Sequence, residues 1–200
     1  MSKYFLIFLV LLVSACNKPN PIPKLSADAI ILAFGDSLTY GTGATPQHDY
    51  PSILTALSGR QVINEGVPGE ITEQGEERLP KLLDQYQPEL LILIHGGNDL
   101  LQNLPRQETR ANLKKMINEA KKRNIAVMML GVPNPGLLFF SSADFYKSLA
   151  EQQQIPADLN TLPDILRNNA LKSDIVHPND AGYQQLASNI FDFLQDHGAL

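Results

Sequence analysis

The sequence predicts an α/β protein whose parallel sheet carries helices on both faces. Three features predict it: short continuous apolar runs, amphipathic stretches at helical spacing between them, and small or polar residues directly after the runs. Strands buried on both faces read as unbroken apolar segments. Strands that alternate with helices imply a parallel sheet joined by right-handed crossovers. The length of 200 residues fits one domain of ordinary size.

The elements follow in chain order. Residues 30–34 (IILAF) predict the first strand, and residues 61–64 a shorter second one. Leu79, Leu82, Leu83 and Tyr86 then share one helical face, ahead of a strand at 90–94 (LLILI). Leu113, Met116, Ile117 and Ala120 mark the next helix, and residues 125–130 (IAVMML) the next strand. Tyr183, Leu186, Ala187, Ile190 and Leu194 form a closing apolar stripe. All of these stripes read as core faces. No internal repeat is present.

Composition excludes several classes of function. Hydrophobic residues at 44% and charged residues at 18% exclude whole-chain disorder. The net charge is -5, and basic residues cluster no further than one helix bearing Lys114, Lys115, Lys121, Lys122 and Arg123. No surface is therefore basic enough to neutralise many phosphates, so no nucleic-acid partner is expected. One cysteine excludes an intramolecular disulfide and a cysteine-based metal site.

The N-terminus carries its own signal. Lys3 precedes an apolar run at 4–13, ten residues long. A bilayer-spanning helix needs about 20, so the run has the proportions of a signal-peptide core. It ends in Val13-Ser14-Ala15-Cys16, which resembles the lipobox of bacterial lipoproteins, where the signal peptide is cut before a cysteine that receives a diacylglyceryl group. A plain secretory signal with a chance cysteine, or a buried first helix, are the alternatives. The resemblance implies removal of residues 1–15, lipidation of Cys16 and a membrane held through the lipid anchor. Residues 16–28 then form a tether, with three prolines between Asn17 and Lys24, and residues 29–200 the folded domain. Localisation would be the bacterial envelope, facing the periplasm. Asn17 in place of an aspartate points to the outer membrane if the host is Gram-negative. The lack of disulfides is then no argument for the cytoplasm.

In open parallel sheets, active sites lie beyond the carboxyl ends of the strands. Gly35-Asp36-Ser37-Leu38, Asn64-Glu65-Gly66-Val67-Pro68-Gly69 and Gly96-Gly97-Asn98-Asp99 all fall there. A serine nucleophile needs a base, a carboxylate to orient that base, and donors for the oxyanion. Ser37 follows a buried strand through Gly35; taken alone, it fits a helix cap equally well. His177 sits three residues after Asp174, before a helix that Asn179 can cap. That spacing lets the carboxylate meet Nδ1 and leaves Nε2 for a serine, although a histidine before a helix is also an ordinary loop residue. Asn98 offers a side-chain amide, while Gly69 and Ser37 offer backbone N–H groups.

Together these four segments resemble the SGNH, or GDSL-type, hydrolase superfamily, and most closely its periplasmic arylesterase, acyl-CoA thioesterase and lysophospholipase group. The motifs span residues 35–178, nearly the whole mature body. Gly66 stands where the second block of the family often carries a serine. The resemblance implies a three-layer α/β/α sandwich around a central, mostly five-stranded parallel sheet of flavodoxin-like type. It implies Ser37, Asp174 and His177 as catalytic residues and Ser37, Gly69 and Asn98 as the oxyanion hole. It further implies hydrolysis of carboxylic esters or thioesters of small to medium acyl groups. No metal or cofactor is expected, and a monomer is the expected state. Removal of O-acetyl groups from carbohydrates or cell-wall glycans is the alternative activity, and a non-catalytic envelope lipoprotein the alternative of another kind. The triad order also occurs in α/β-hydrolases, but no G-x-S-x-G elbow surrounds Ser37.

The remaining polar residues have structural expectations. His95 reads as strand-end packing, His48 and His197 as solvated, and Asp36 and Asp99 as hydrogen-bonding their own turns. Residues 137–140 (LLFF) are open to two readings: an acyl pocket or lid, or the buried start of the next helix.

Overall fold

The computed structural model describes residues 21–134 and 141–200. Cys16 with its flanking signal and the 137–140 segment lie outside the described residues.

The sheet has the order β2-β1-β3-β4-β5, every pair parallel. Its strands are β1 (Ile30–Gly35), β2 (Gln61–Gly66), β3 (Leu90–Ile94), β4 (Ala126–Leu130) and β5 (Ala157–Asp158). The helices are α1 (Ser37–Tyr40), α2 (Tyr50–Ser58), α3 (Thr72–Tyr86), α4 (Gly97–Leu101), α5 (Arg106–Lys122), α6 (Asp144–Gln153), α7 (Thr161–Arg167) and α8 (Asp180–Asp196). β1, β3 and β4 are apolar along their length because helices cover both faces, whereas β2, at the edge, alternates between exposed and half-buried positions. One face carries α2 and α8 packed on each other; α3 packs on α5, and α5 on α6. Leu83, Ile92, Ile117, Met128, Tyr146, Tyr183 and Ile190 all lie in the same core.

The fifth strand is only two residues long, and apolar periodicity does not mark it. Its register is set by backbone bonds to β4, with Met129 opposite Ala157 and Leu130 opposite Asp158. The short helices α2, α6 and α7 also go unmarked by the sequence stripes. Local chemistry still fixes α2: Asp49 caps it by accepting from the Ser52 N–H at 3.0 Å, and Pro51 sits in its first turn.

Packing starts ahead of residue 29. Ile22 and Leu25 are buried, and their N–H groups donate to the carbonyls of His197 (3.0 Å) and Ala199 (2.9 Å). This segment therefore seals the amino end of the sheet against the C-terminus. His197 takes part in that seal instead of being solvated: its ring stacks on Phe193 at 3.8 Å between centroids.

Candidate active site

Each functional side chain follows from how its strand ends. β1 stops at Gly35, where a Cβ would sit 1.9 Å from the carbonyl oxygen of Ile94, so only glycine lets β1 and β3 approach this closely. The chain then turns through Asp36, whose Oδ1 accepts from the Leu38 N–H at 3.0 Å and starts α1. This places Ser37 at the first position of that helix, half-buried at the sheet edge. Burial pushes the Asp36 carboxyl above its usual range, against the opposing pull of His95 and His177.

The loop before α8 supplies the partner. Asp174 Oδ1 accepts from the backbone N–H groups of Val176 (2.8 Å) and His177 (2.9 Å), which folds the loop back on itself. Its Oδ2 then lies 2.7 Å from His177 Nδ1, and His177 Nε2 lies 2.9 Å from Ser37 Oγ. The Asp174 contact fixes the proton on Nδ1, so Nε2 is left to accept from the serine hydroxyl. Burial would raise the Asp174 carboxyl, but the hydrogen bonds from His177 and the two backbone N–H groups outweigh it and hold the group below its ordinary value. The backbone bridge between Lys172 and Pro178 closes the loop, and Asn179 caps α8 by accepting from Gly182 N–H at 3.0 Å.

The two remaining donors come from the ends of β2 and β3. Gly66 closes β2 opposite Gly35, directly ahead of a turn that holds Gly69. In that turn, Glu70 N–H donates to the Val67 carbonyl at 3.1 Å, with Pro68 second and Gly69 third at φ +82°. A turn of this type requires positive φ at its third position, so glycine belongs there, and no heavy atom lies within 4 Å of where its Cβ would be. Asn98 stands in the first turn of α4, its amide donating to the Glu70 carbonyl at 3.0 Å. Ser37, Asn98 and His177 line one cleft, with Leu38, Leu101, Val132, Pro133, Leu166 and Val176 as its apolar walls. It encloses about 500 Å³, part of it open to solvent.

Two polar residues depart from expectation. Asp99 does not bond its own turn: its carboxylate accepts from the Thr72 N–H and hydroxyl and from the Thr109 hydroxyl, locking α4 to α3 and α5. His95 is buried, as strand-end packing requires, but it also pairs with Glu70 at 3.1 Å.

The sequence profile of the GDSL-like lipase/acylhydrolase family matches residues 33–185. The chain belongs to that family. As a GDSL-like acylhydrolase it is a serine hydrolase of carboxylic esters. An arylesterase of Vibrio mimicus is 32% identical over 177 residues, covering 84% of this chain and 88% of that one. Thioesterase 1/protease 1/lysophospholipase L1 of Escherichia coli K12 is 27% identical, covering 78% of each chain. Among solved structures, the SGNH-hydrolase esterase AlinE4 is 31% identical with a TM-score of 0.64, covering 86% of this chain and 97% of that one.

Proposed function

We propose that this GDSL-like acylhydrolase cleaves carboxylic esters and thioesters of small to medium acyl groups through Ser37, His177 and Asp174. The observation that carries the reading is the unbroken chain of contacts from Asp174 through His177 to Ser37 at the floor of an apolar-walled cleft. Ser37 Oγ attacks the acyl carbon while His177 Nε2 takes its proton. The carbonyl oxygen becomes an oxyanion that accepts from the Asn98 amide and from the backbone N–H groups of Ser37 and Gly69. Collapse of this intermediate breaks the bond to the alcohol or thiol, which leaves with the proton returned by His177. Water then attacks acyl-Ser37 by the same route and releases the acid. Asp174 holds the imidazole in the required tautomer and balances the charge it gains.

The test is a chain-length series of nitrophenyl esters assayed beside acetylated sugars. Short and medium acyl esters should be hydrolysed, and Ser37→Ala should abolish the reaction. Turnover of the acetylated sugars alone would move the assignment to a carbohydrate O-acetyl esterase. Inertness of the folded protein toward every ester would leave a non-catalytic envelope lipoprotein.

We further propose that Cys16 carries a lipid that anchors the enzyme in the bacterial envelope, on the strength of the Val13-Ser14-Ala15-Cys16 run. Among the described residues, no helix is long and apolar enough to cross a membrane. Cys16→Ala should abolish palmitate incorporation and membrane fractionation; retention of both would overturn the anchor.

A further inference from the structure

Behind the cleft lies a set of ionisable side chains that the reaction does not use. Glu70 and His95 are buried, with 6% and 0% of their surface exposed, a state that charged or titratable groups occupy only when partnered. The Glu70 carboxylate accepts from Arg78 Nε at 2.8 Å and Nη2 at 2.9 Å, a two-pronged pairing. Its Oε2 also lies 3.1 Å from His95 Nε2. The Gly96 N–H donates to His95 Nδ1 at 3.0 Å, so the proton of a neutral ring sits on Nε2 and is donated to Glu70. Burial would raise the Glu70 carboxyl, but these hydrogen bonds prevail and hold it ionised.

The surroundings are shaped for this set. Arg78 reaches the other side of the same turn as well, donating to the Glu65 carbonyl at 3.0 Å and the Glu65 carboxylate at 3.1 Å, while its guanidinium lies over the Phe34 ring at 4.4 Å. Gly75 of α3 makes room for the histidine, because a Cβ there would come within 2.4 Å of His95 Nε2. One arginine thus grips both flanks of the turn that carries Gly69. The carbonyl of Glu70, adjacent to Gly69, is also the group that orients the Asn98 amide.

We infer that Glu70 is a positioning residue for the oxyanion hole: clamped by Arg78 and His95, it sets the Gly69 turn with its side chain and the Asn98 amide with its carbonyl. The inference rests on the oxyanion assignment of Gly69 and Asn98. Misplacing donors by a fraction of an ångström weakens transition-state binding and leaves substrate binding nearly unchanged. Glu70→Ala should therefore lower kcat by about ten- to a hundredfold with KM changed by less than about threefold. Affinity for a boronic-acid mimic of the tetrahedral intermediate should fall in parallel with kcat/KM.

The deciding experiment is a double-mutant cycle with Asn98→Ala, read by kcat, with thermal unfolding recorded for each variant. If Glu70 acts through Asn98, Glu70→Ala should cost much less in the Asn98→Ala background than in the parent. Glu70→Gln keeps the size but turns one of the two accepting oxygens into a donor that faces another donor, so it should lower kcat less than Glu70→Ala yet by more than about twofold; it carries the cycle, with the same criteria, if the alanine variant does not fold. A kcat within about twofold of the parent for Glu70→Ala, or losses that multiply independently, would overturn the inference. An Asn98→Ala variant with full kcat would instead overturn the oxyanion assignment, so the two failures are distinguishable.

Discussion

The two ends of the sheet are built on different terms. At the carboxyl end, Ser37, Gly69, Asn98 and His177 sit on short turns held by hydrogen bonds, and Asp174 and Gly69 are exposed. At the amino end, Ile22, Leu25, Leu194 and Ala199 are buried, and backbone bonds join residues 22–25 to the C-terminus. Helix α8 links the two ends: the loop before it carries His177, and the residue after it, His197, accepts from Ile22. Its 17 residues at 1.5 Å each set the chemistry and the seal about 25 Å apart. The site end therefore carries the polar groups to which the proposed reaction gives roles, and the sealed end carries apolar groups that the proposed reaction does not use.

Single substitutions can break that division, beginning with the largest expected effect. His177→Ala should lower kcat by about 10⁴-fold or more while the unfolding midpoint stays close to the parent, since the ring lies outside the apolar core cluster. Asn98→Ala should lower kcat by about 10²- to 10³-fold, the cost of one oxyanion donor, again with little change in stability. At the other end the signs reverse. Ile22→Ala should remove about 2 kcal/mol of stability in denaturant unfolding and leave kcat unchanged under conditions where the protein is folded. A large loss of kcat in Ile22→Ala would show that the two ends are coupled.

The smallest effect concerns acid. The folded-state carboxyl of Asp174 titrates below its unfolded value of about 3.9, so its contribution to stability is present above that pH and is lost as pH falls through the folded value. Because half of its side chain faces solvent, the contribution is small. Comparing the parent with Asp174→Asn, the stability difference should shrink only at the acid limit. A difference that grew toward acid would reverse the assigned direction.

How much of this could be read in the sequence depended on range. The Asp174–His177 pair is local: three residues of spacing and one bent loop bring it together, so the pairing is visible in the sequence, although the motif alone fits an ordinary loop histidine equally well. Ser37 meets His177 across 140 residues of chain, and only the strand order brings them together. The rule that parallel sheets gather functional loops at one edge places Ser37 there, and the joint resemblance of the four segments to the SGNH superfamily is what adds His177 to it. The Glu70–Arg78–His95 set left no comparable signal, since it joins a turn, the middle of a helix and a strand end whose spacing follows no period. Gly75 was the one visible trace, a helical glycine whose purpose is clear only beside His95. Asp99 departs from the expected bond to its own turn because α3 and α5 bring it donors that lie far away in the sequence. β5 escaped because two residues cannot show a period.

The proposed reaction turns on Ser37, activated by His177, as the nucleophile of this esterase. Its most direct test is the intact mass of the protein after treatment with a fluorophosphonate. The expected result is one adduct, mapped to Ser37, in the parent, and none in a Ser37→Ala variant with the same unfolding midpoint. Labelling of Ser37→Ala, or a folded parent that takes up no label, would overturn Ser37 as the nucleophile.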